Sequence, residues 1–188
     1  MKKICITGSL ASGKTTASKI LSLRRGPLFS ADEVVKKLYK QNHFKQLILK
    51  KFKIKGNQNI KSFLRNKIIT NKFFISKLEK IIHPIVRKEM RKFTKKNIKK
   101  KLIFYEIPLL IESKLMKNFD KIIFVKAKKN IRLKRFKLKG GSKKLFEILN
   151  NKQLSDAKKI KFCDYVVVNE KNLKFLKKNL LGIISNYE

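Results

Sequence analysis

The chain has 188 residues, 43% of them hydrophobic, which suffices for one folded domain with a sizeable core and excludes a disordered tail. Its 50 basic residues against 12 acidic ones give a formal net charge of +38, and no apolar run approaches the roughly 20 residues of a membrane span. Only seven basic residues are arginine and the lysines are spread along the chain, so we expect compositional drift with weak non-specific polyanion binding, and no specific nucleic-acid partner.

The first predicted element is a strand at 4–6. Lys2 and Lys3 precede it, and this apolar run is too short for the core of a signal peptide, so we expect a cytoplasmic protein without a membrane segment. The two cysteines, Cys5 and Cys163, lie in or beside apolar runs and are expected to be buried free thiols.

The segment after this strand, residues 8–15, reads GSLASGKT and fits G-x-x-x-x-G-K-[ST] without a mismatch. A helical pattern at 16–23 follows it. A glycine-rich loop between a strand and a helix cradles phosphates with its backbone N–H groups, its lysine spans the β- and γ-phosphates, and its Ser/Thr hydroxyl ligates Mg²⁺. The pattern therefore predicts an ATP site formed by Gly8, Ala11, Ser12, Gly13, Lys14, Thr15 and Thr16.

A weaker strand candidate, Leu28–Ser30, follows the Gly26-Pro27 turn, and Asp32 comes directly after it. The carboxyl ends of parallel strands are where α/β folds place ligands, so Asp32 could take a proton from an acceptor hydroxyl. An N-capping role for Asp32 ahead of the next helix is an equal alternative from spacing alone.

Residues of about 40–98 read as several helices broken at Gly56-Asn57 and at Pro84, in place of the single helix of an ordinary crossover. We interpret them as a helical insertion that binds the acceptor. His83 precedes Pro84, which usually marks a helix boundary, and spacing alone favours a structural role for this histidine.

Three further apolar runs, at 102–105, 122–125 and 166–168, complete a predicted five-stranded parallel sheet with helices on both faces, a three-layer α/β/α sandwich. Glu106 ends the third strand, where it holds a Mg²⁺-bound water or is a solvated charge; the sequence leaves both open. Glu112 follows in a turn or helix. Gly140-Gly141-Ser142 lies between two helical stretches and predicts a short lid of about 136–146, with the core at about 1–39 and 99–188.

A short chain with a phosphate loop, a helical insertion and a lid is typical of P-loop small-molecule kinases. Its motifs resemble those of the dephospho-CoA kinase family. The resemblance rests on the loop Thr7 to Thr16, on Asp32, on His83-Pro84, on the block from Glu106 to Glu112 that reads EIPLLIE, and on the last strand with Asp164 and Asn169. It covers the chain from Met1 to about Asn169.

The resemblance implies that ATP phosphorylates the ribose 3′-hydroxyl of 3′-dephospho-coenzyme A, giving ADP and coenzyme A, with Mg²⁺ as cofactor. It implies that Asp32 and Lys14 are catalytic and that Glu106 holds a metal-bound water. It implies substrate contacts by Asp32, His83, Pro108, Leu109 and Glu112, and a P-loop NTPase fold with a coenzyme A lobe.

Three departures from the family pattern concern charged positions. Ser30 stands where the family often has a first aspartate, Lys139-Gly140 stand where an Arg-Asp pair is usual, and Asp156 falls near a family arginine. We therefore expect Arg135, with nearby lysines, to act as the ATP-contacting residue of the lid. Lysine neutralises phosphate as a point charge but lacks the bidentate fork of arginine.

Two alternative functions remain open from the sequence. One is another P-loop kinase of the nucleoside monophosphate or shikimate type, although residues 40–98 offer only three arginines for an anionic acceptor. The other is a P-loop ATPase stimulated by nucleic acid, which the positive charge allows.

Overall fold

The computed structural model describes residues 1–54, 60–71 and 73–187. The strands are β1 (Lys2–Gly8), β2 (Leu28–Ser30), β3 (Leu102–Glu106), β4 (Lys121–Lys126) and β5 (Tyr165–Val168). The helices are α1 (Lys14–Ser22), α2 (Ala31–Leu38), α3 (Asn42–Lys51), α4 (Ile60–Thr70), α5 (Phe74–Lys96), α6 (Lys129–Leu138), α7 (Lys143–Asn151), α8 (Asp156–Ile160) and α9 (Leu173–Ile184). The chain forms two compact units, Met1–Ser30 with the chain from Phe93 onward, and Ala31–Lys92.

The first unit contains one parallel sheet with the strand order β2-β3-β1-β4-β5. All five predicted strands are present, including the weak candidate β2. β3 aligns Glu106 with Ile6 of β1 on one side and with Ser30 of β2 on the other. The carboxyl ends of the three strands therefore meet beside the loop that follows β1, which is where parallel α/β sheets bind ligands.

Helices cover both faces of this sheet at β1, β3 and β4. The edge strand β5 differs from the expectation of burial on both faces, because Val166 and Val168 on one of its faces are exposed. On one face α1 and α9 bury Leu21 and Leu180 completely against the inward side chains of β1, β3 and β4. On the other face the ring of Phe93, near the end of α5, lies 5.5 Å from Phe29 and 5.7 Å from Tyr105. Because successive strand side chains point to opposite faces, continuous apolar runs are what a sheet covered on both sides requires.

The second unit has its own apolar core, built by α2, α3, α4 and α5. Its buried members are Leu38, Phe44, Ile48, Leu64, Phe74, Leu78 and Ile82. The second unit begins at Ala31 and includes α2, whose Leu38 lies in its core. The start of the helical insertion expected from the sequence is later, at about residue 40. The expected break at Gly56-Asn57 lies outside the described residues.

The helix break expected at Pro84 is wrong. Pro84 lies inside the 23-residue α5 and is exposed. Buried positions continue past it on the same face, from Leu78 and Ile82 to Met90. Packing of that face stabilises the helix by more than the loss of one backbone hydrogen bond at proline destabilises it. One long helix therefore forms where local backbone preference favours two shorter helices.

The two thiols differ in environment. Cys5 in β1 is fully buried, and burial raises its pKa well above the ordinary value. Cys163 is only partly buried, so the expectation of buried thiols is met at Cys5 alone; desolvation still raises the pKa of Cys163 to about 11. Among the described residues, no helix combines the length and the hydrophobicity needed to cross a bilayer.

The first prediction concerns Pro84. Pro84→Ala restores the backbone donor in α5, and we expect the free energy of unfolding to rise by about 1–3 kcal/mol because proline inside a helix costs about that much. Urea unfolding followed by circular dichroism measures it. Lys88→Ala, at an exposed position one turn later, is the control and should change stability little. A less stable Pro84→Ala protein would contradict this account of α5.

Candidate functional site

The phosphate loop lies between the end of β1 and the start of α1, and the helix begins at Lys14, two residues earlier than predicted. Three residues of the loop have positive φ angles: Gly8 at 150°, Ala11 at 58° and Gly13 at 101°. A Cβ at Gly13 would clash with the side-chain amide of Asn169. The glycine is thus required by both its backbone angle and its neighbour.

The interior of this loop holds donors for an anion. Lys14 is 7% exposed, and its Nζ donates to the carbonyl oxygen of Ser9 at 2.9 Å. The Ser12 hydroxyl is buried and has no hydrogen-bond partner within the described part of the chain. A buried hydroxyl without a partner is costly, and an oxygen-rich ligand in the loop would satisfy it.

Glu106 is the central carboxylate of the site. It is fully buried, Thr15 Oγ1 donates to its Oε1 at 2.6 Å, and Ser30 Oγ donates to its Oε2 at 3.0 Å. The alternative of a solvated strand-end charge is therefore wrong. A threonine hydroxyl next to a buried carboxylate presents the oxygen ligands that Mg²⁺ prefers, and Mg²⁺ usually completes its shell with waters and phosphate oxygens. These two residues fit the cation.

The turn after β3 carries the other predicted substrate residues of this unit. The Pro108 carbonyl accepts from Thr7 Oγ1 at 3.3 Å, and Pro108 and Leu109 are half-buried. Glu112 lies in the turn. Its Oε1 accepts from the backbone N–H of Leu154 at 3.0 Å and from Lys159 Nζ at 2.7 Å, whereas its Oε2 is buried without a hydrogen-bond partner among the described residues.

The outside of the phosphate loop is held by side chains from the second half of the chain. Arg135 Nη1 donates to the Ser12 carbonyl at 3.3 Å, and Asn169 Nδ2 donates to the same oxygen at 2.9 Å. Arg132 Nη1 donates to the Leu10 carbonyl at 3.2 Å. These contacts set the shape of the loop before any nucleotide binds.

Two further acceptors hold the loop from α8 and the residues before it. Gln153 Oε1 accepts from the backbone N–H of Leu10 at 3.1 Å, and Asp156 accepts from Ser9 Oγ. Asp156, which departs from the family pattern, thus has a specific contact in this chain. Burial lowers the pKa of the Arg132 guanidinium, and the Asp156 and Glu147 carboxylates oppose that shift.

Sequence reasoning assigned no loop-holding role to Arg132, Gln153, Asp156 or Asn169. A site role for Asn169 could have been predicted, because this residue follows β5 at the carboxyl end of the sheet, where ligand-site residues are expected. Arg132, Gln153 and Asp156 carry no local pattern that separates them from surface residues. Their partners are 122 to 147 positions away along the chain.

Asp32 and His83 belong to the second unit. α2 begins at Ala31, so Asp32 lies in the first helical turn and does not precede the helix as the capping alternative assumed. A carboxylate there is favoured by the helix dipole, and the side chain is exposed. His83 is partly buried within α5. The residues that the structure brings together in the first unit are the phosphate loop, Glu106, Pro108, Glu112 and Arg135.

Comparison with known proteins decides the family. The sequence profile of dephospho-CoA kinase (CoaE) matches residues 3–174. The chain belongs to the dephospho-CoA kinase family. It is 34% identical over 191 residues to the dephospho-CoA kinase of Bartonella henselae, covering 99% of this chain and 98% of that protein.

Solved structures show the same fold. TT1252 from Thermus thermophilus superposes with a TM-score of 0.80 at 22% identity, over 100% of this chain and 98% of the other. The dephospho-CoA kinase from Campylobacter jejuni gives 0.69 at 24% identity, over 99% and 97%. The five-stranded parallel sheet of this dephospho-CoA kinase family member is therefore the family's P-loop kinase fold.

The second prediction concerns Glu106. Glu106→Gln removes the buried charge beside Thr15, and we expect the apparent Mg²⁺ affinity of the nucleotide complex to fall about 10–100-fold, as for residues that hold a metal through water. Titration of a fluorescent ATP analogue at varied Mg²⁺ measures it. Glu89→Gln, which disrupts an exposed ion pair with Lys92, is the control. An unchanged Mg²⁺ dependence would leave Glu106 a purely structural role.

Proposed function

We propose that the protein transfers the γ-phosphoryl group of ATP to the ribose 3′-hydroxyl of 3′-dephospho-coenzyme A, the last step of coenzyme A synthesis. The observation that carries the proposal is the hydrogen bond between Thr15 and the buried Glu106, because it brings the hydroxyl of the phosphate loop and a carboxylate to one point in a chain of this family. We also infer that the protein acts in the cytoplasm, where we expect coenzyme A synthesis to take place.

On the ATP side, the backbone N–H groups of residues 8–15 and the buried Lys14 carry the positive potential. Lys14 Nζ exchanges its contact with the Ser9 carbonyl for β- and γ-phosphate oxygens, and the Ser12 hydroxyl gains its missing partner. Ala11, Thr16 and Arg135 complete the proposed contacts with ATP. Donors fixed before the reaction stabilise the transferring group without reorganising, which is how phosphoryl-transfer enzymes lower the barrier.

Mg²⁺, when bound, neutralises charge on the phosphate oxygens and orients them for in-line transfer. Thr15 would ligate it directly, and Glu106 would hold one of its waters. Ser30 helps because its hydroxyl donates to the second oxygen of Glu106 and fixes the plane of that carboxylate.

On the acceptor side, Asp32 is the proposed base or orienting group. It follows Ser30 by only two residues, its side chain is exposed, and it lies in the first turn of α2. In the proposed reaction Asp32 accepts the proton of the 3′-hydroxyl, the ribose oxygen bonds to the γ-phosphorus, and the bond from that phosphorus to ADP breaks. His83, Pro108, Leu109 and Glu112 are proposed to bind the acceptor.

The proposed lid uses a single arginine. Arg135 already donates to the Ser12 carbonyl, so it is placed to turn toward phosphate, and the exposed Lys137, Lys139, Lys143 and Lys144 add positive charge around 136–146. Asp156 accepts from Ser9, and the Arg132 guanidinium interacts favourably with its negative charge.

The third prediction is the reaction itself. With ATP, Mg²⁺ and 3′-dephospho-coenzyme A the purified protein should form coenzyme A and ADP in equal amounts, measured by liquid chromatography. Shikimate and nucleoside monophosphates should give no phosphorylated product, and RNA or DNA should not stimulate ATP hydrolysis. Turnover of one of these acceptors in preference to dephospho-coenzyme A would refute the proposal.

The fourth prediction separates Asp32 from Lys14. Asp32→Asn should lower kcat by ~10²–10⁴-fold while ATP binds normally, because a general base contributes about that much. Lys14→Ala should weaken ATP binding as well as transfer.

Glu33→Gln is the matched control for Asp32, since Glu33 is the adjacent acid in the same turn and pairs with Lys36. Single-turnover kinetics with isothermal titration of ATP measure both effects. Normal turnover by Asp32→Asn would reduce Asp32 to a stabiliser of α2.

A further inference from the structure

Lys159 is a lysine with no exposed surface in a chain whose other lysines are mostly exposed. Its Nζ lies 2.7 Å from Glu112 Oε1 and 3.5 Å from Gln153 Oε1. Burying an ammonium group is unfavourable unless its partners offset the lost hydration. A buried ion pair is therefore weak evidence for added stability, and the burial of Lys159 needs another explanation.

The partners of Lys159 suggest that reason. Gln153 Oε1 also accepts from the backbone N–H of Leu10 in the phosphate loop. Glu112 Oε1 also accepts from the backbone N–H of Leu154. The Lys159 ammonium group therefore contacts both Gln153 Oε1, which binds the phosphate loop, and Glu112 Oε1. Glu112 is the carboxylate proposed to bind the acceptor.

The two oxygens of Glu112 are in different states. Oε1 receives two donors, one of them charged, whereas Oε2 is buried with no hydrogen-bond partner in the described ranges. Fixing one oxygen fixes the plane of the carboxylate, so the other oxygen has one direction in which to accept. A hydroxyl or amino donor of the acceptor is the chemistry that would satisfy it.

We propose that Lys159 is a positioning residue that orients Glu112 for the acceptor and keeps it in register with the phosphate loop through Gln153. The inference rests on the proposed function and deepens it, because it explains how the carboxylate of Glu112 is held in one orientation for an acceptor donor. Asp156 extends the same segment to Ser9, so residues 153–159 contact the loop at two points and Glu112 at two.

The test is a double-mutant cycle of Lys159→Met and Glu112→Gln in the full-length enzyme. Lys159→Met should raise KM for dephospho-coenzyme A about tenfold or more and change the dissociation constant of ATP less than about threefold, since Arg132, Gln153 and Asp156 still hold the loop. In the Glu112→Gln background the same substitution should leave KM unchanged, because Lys159 acts through that carboxylate.

Lys158→Met is the matched control, an exposed lysine one residue earlier that loses the same charge; it should behave as wild type. If Lys159→Met alone does not fold, Lys159→Arg takes its place in both backgrounds of the cycle, because it keeps a positive charge beside Glu112 but changes the geometry of the contact. The same dependence of the KM change on Glu112 is then expected.

Four outcomes separate the readings. An acceptor KM that rises only when Glu112 is present supports the inference. A lowered melting temperature with an unchanged acceptor KM would overturn it and leave Lys159 a structural residue. An equal rise in KM with and without Glu112 would overturn it too. A wild-type enzyme that forms no coenzyme A would instead refute the proposed function, and the inference with it.

Discussion

One buried carboxylate, Glu106, ties together the ends of three parallel strands. It terminates β3, accepts from Thr15 beyond β1, and accepts from Ser30 at the end of β2. A carboxylate buried without such donors would be costly, so the two hydroxyls and the charge are mutually dependent. The position of Thr15 relative to the sheet, and with it the start of α1, follows from this arrangement.

The phosphate loop is shaped from outside as well as from within. Its backbone oxygens and nitrogens are bound by Arg132, Arg135, Gln153 and Asn169, all from the second half of the chain. Local preference does not hold the three positive φ angles of this loop, because glycine adopts negative angles as readily and Ala11 favours them. The glycines make the conformation possible, and the distant side chains select it.

The sheet was accessible from the sequence because buried parallel strands are continuous apolar runs, and even the three-residue β2 was found from its turn and position. The phosphate loop was accessible because its motif follows from phosphate chemistry. Pro84 was misread because local backbone preference gave way to the apolar face of α5. Gln153 and Lys159 were missed because their roles arise from contacts between segments far apart in the chain, which no local pattern records.

Several acidic residues of this basic chain accept hydrogen bonds at positions where a basic side chain could not serve. Asp120 and Asp164 accept from the backbone N–H groups of Lys3 and Ile122, Glu170 accepts from that of Lys128, and Asp156 accepts from Ser9. A lysine side chain has donors only and could not replace Asp120, Asp164 or Glu170, whose partners are backbone N–H groups. Most of the positive charge of the chain lies at exposed positions, where a lysine side chain stays hydrated. The chemistry of the site depends on a few acids, with Glu106 at its centre.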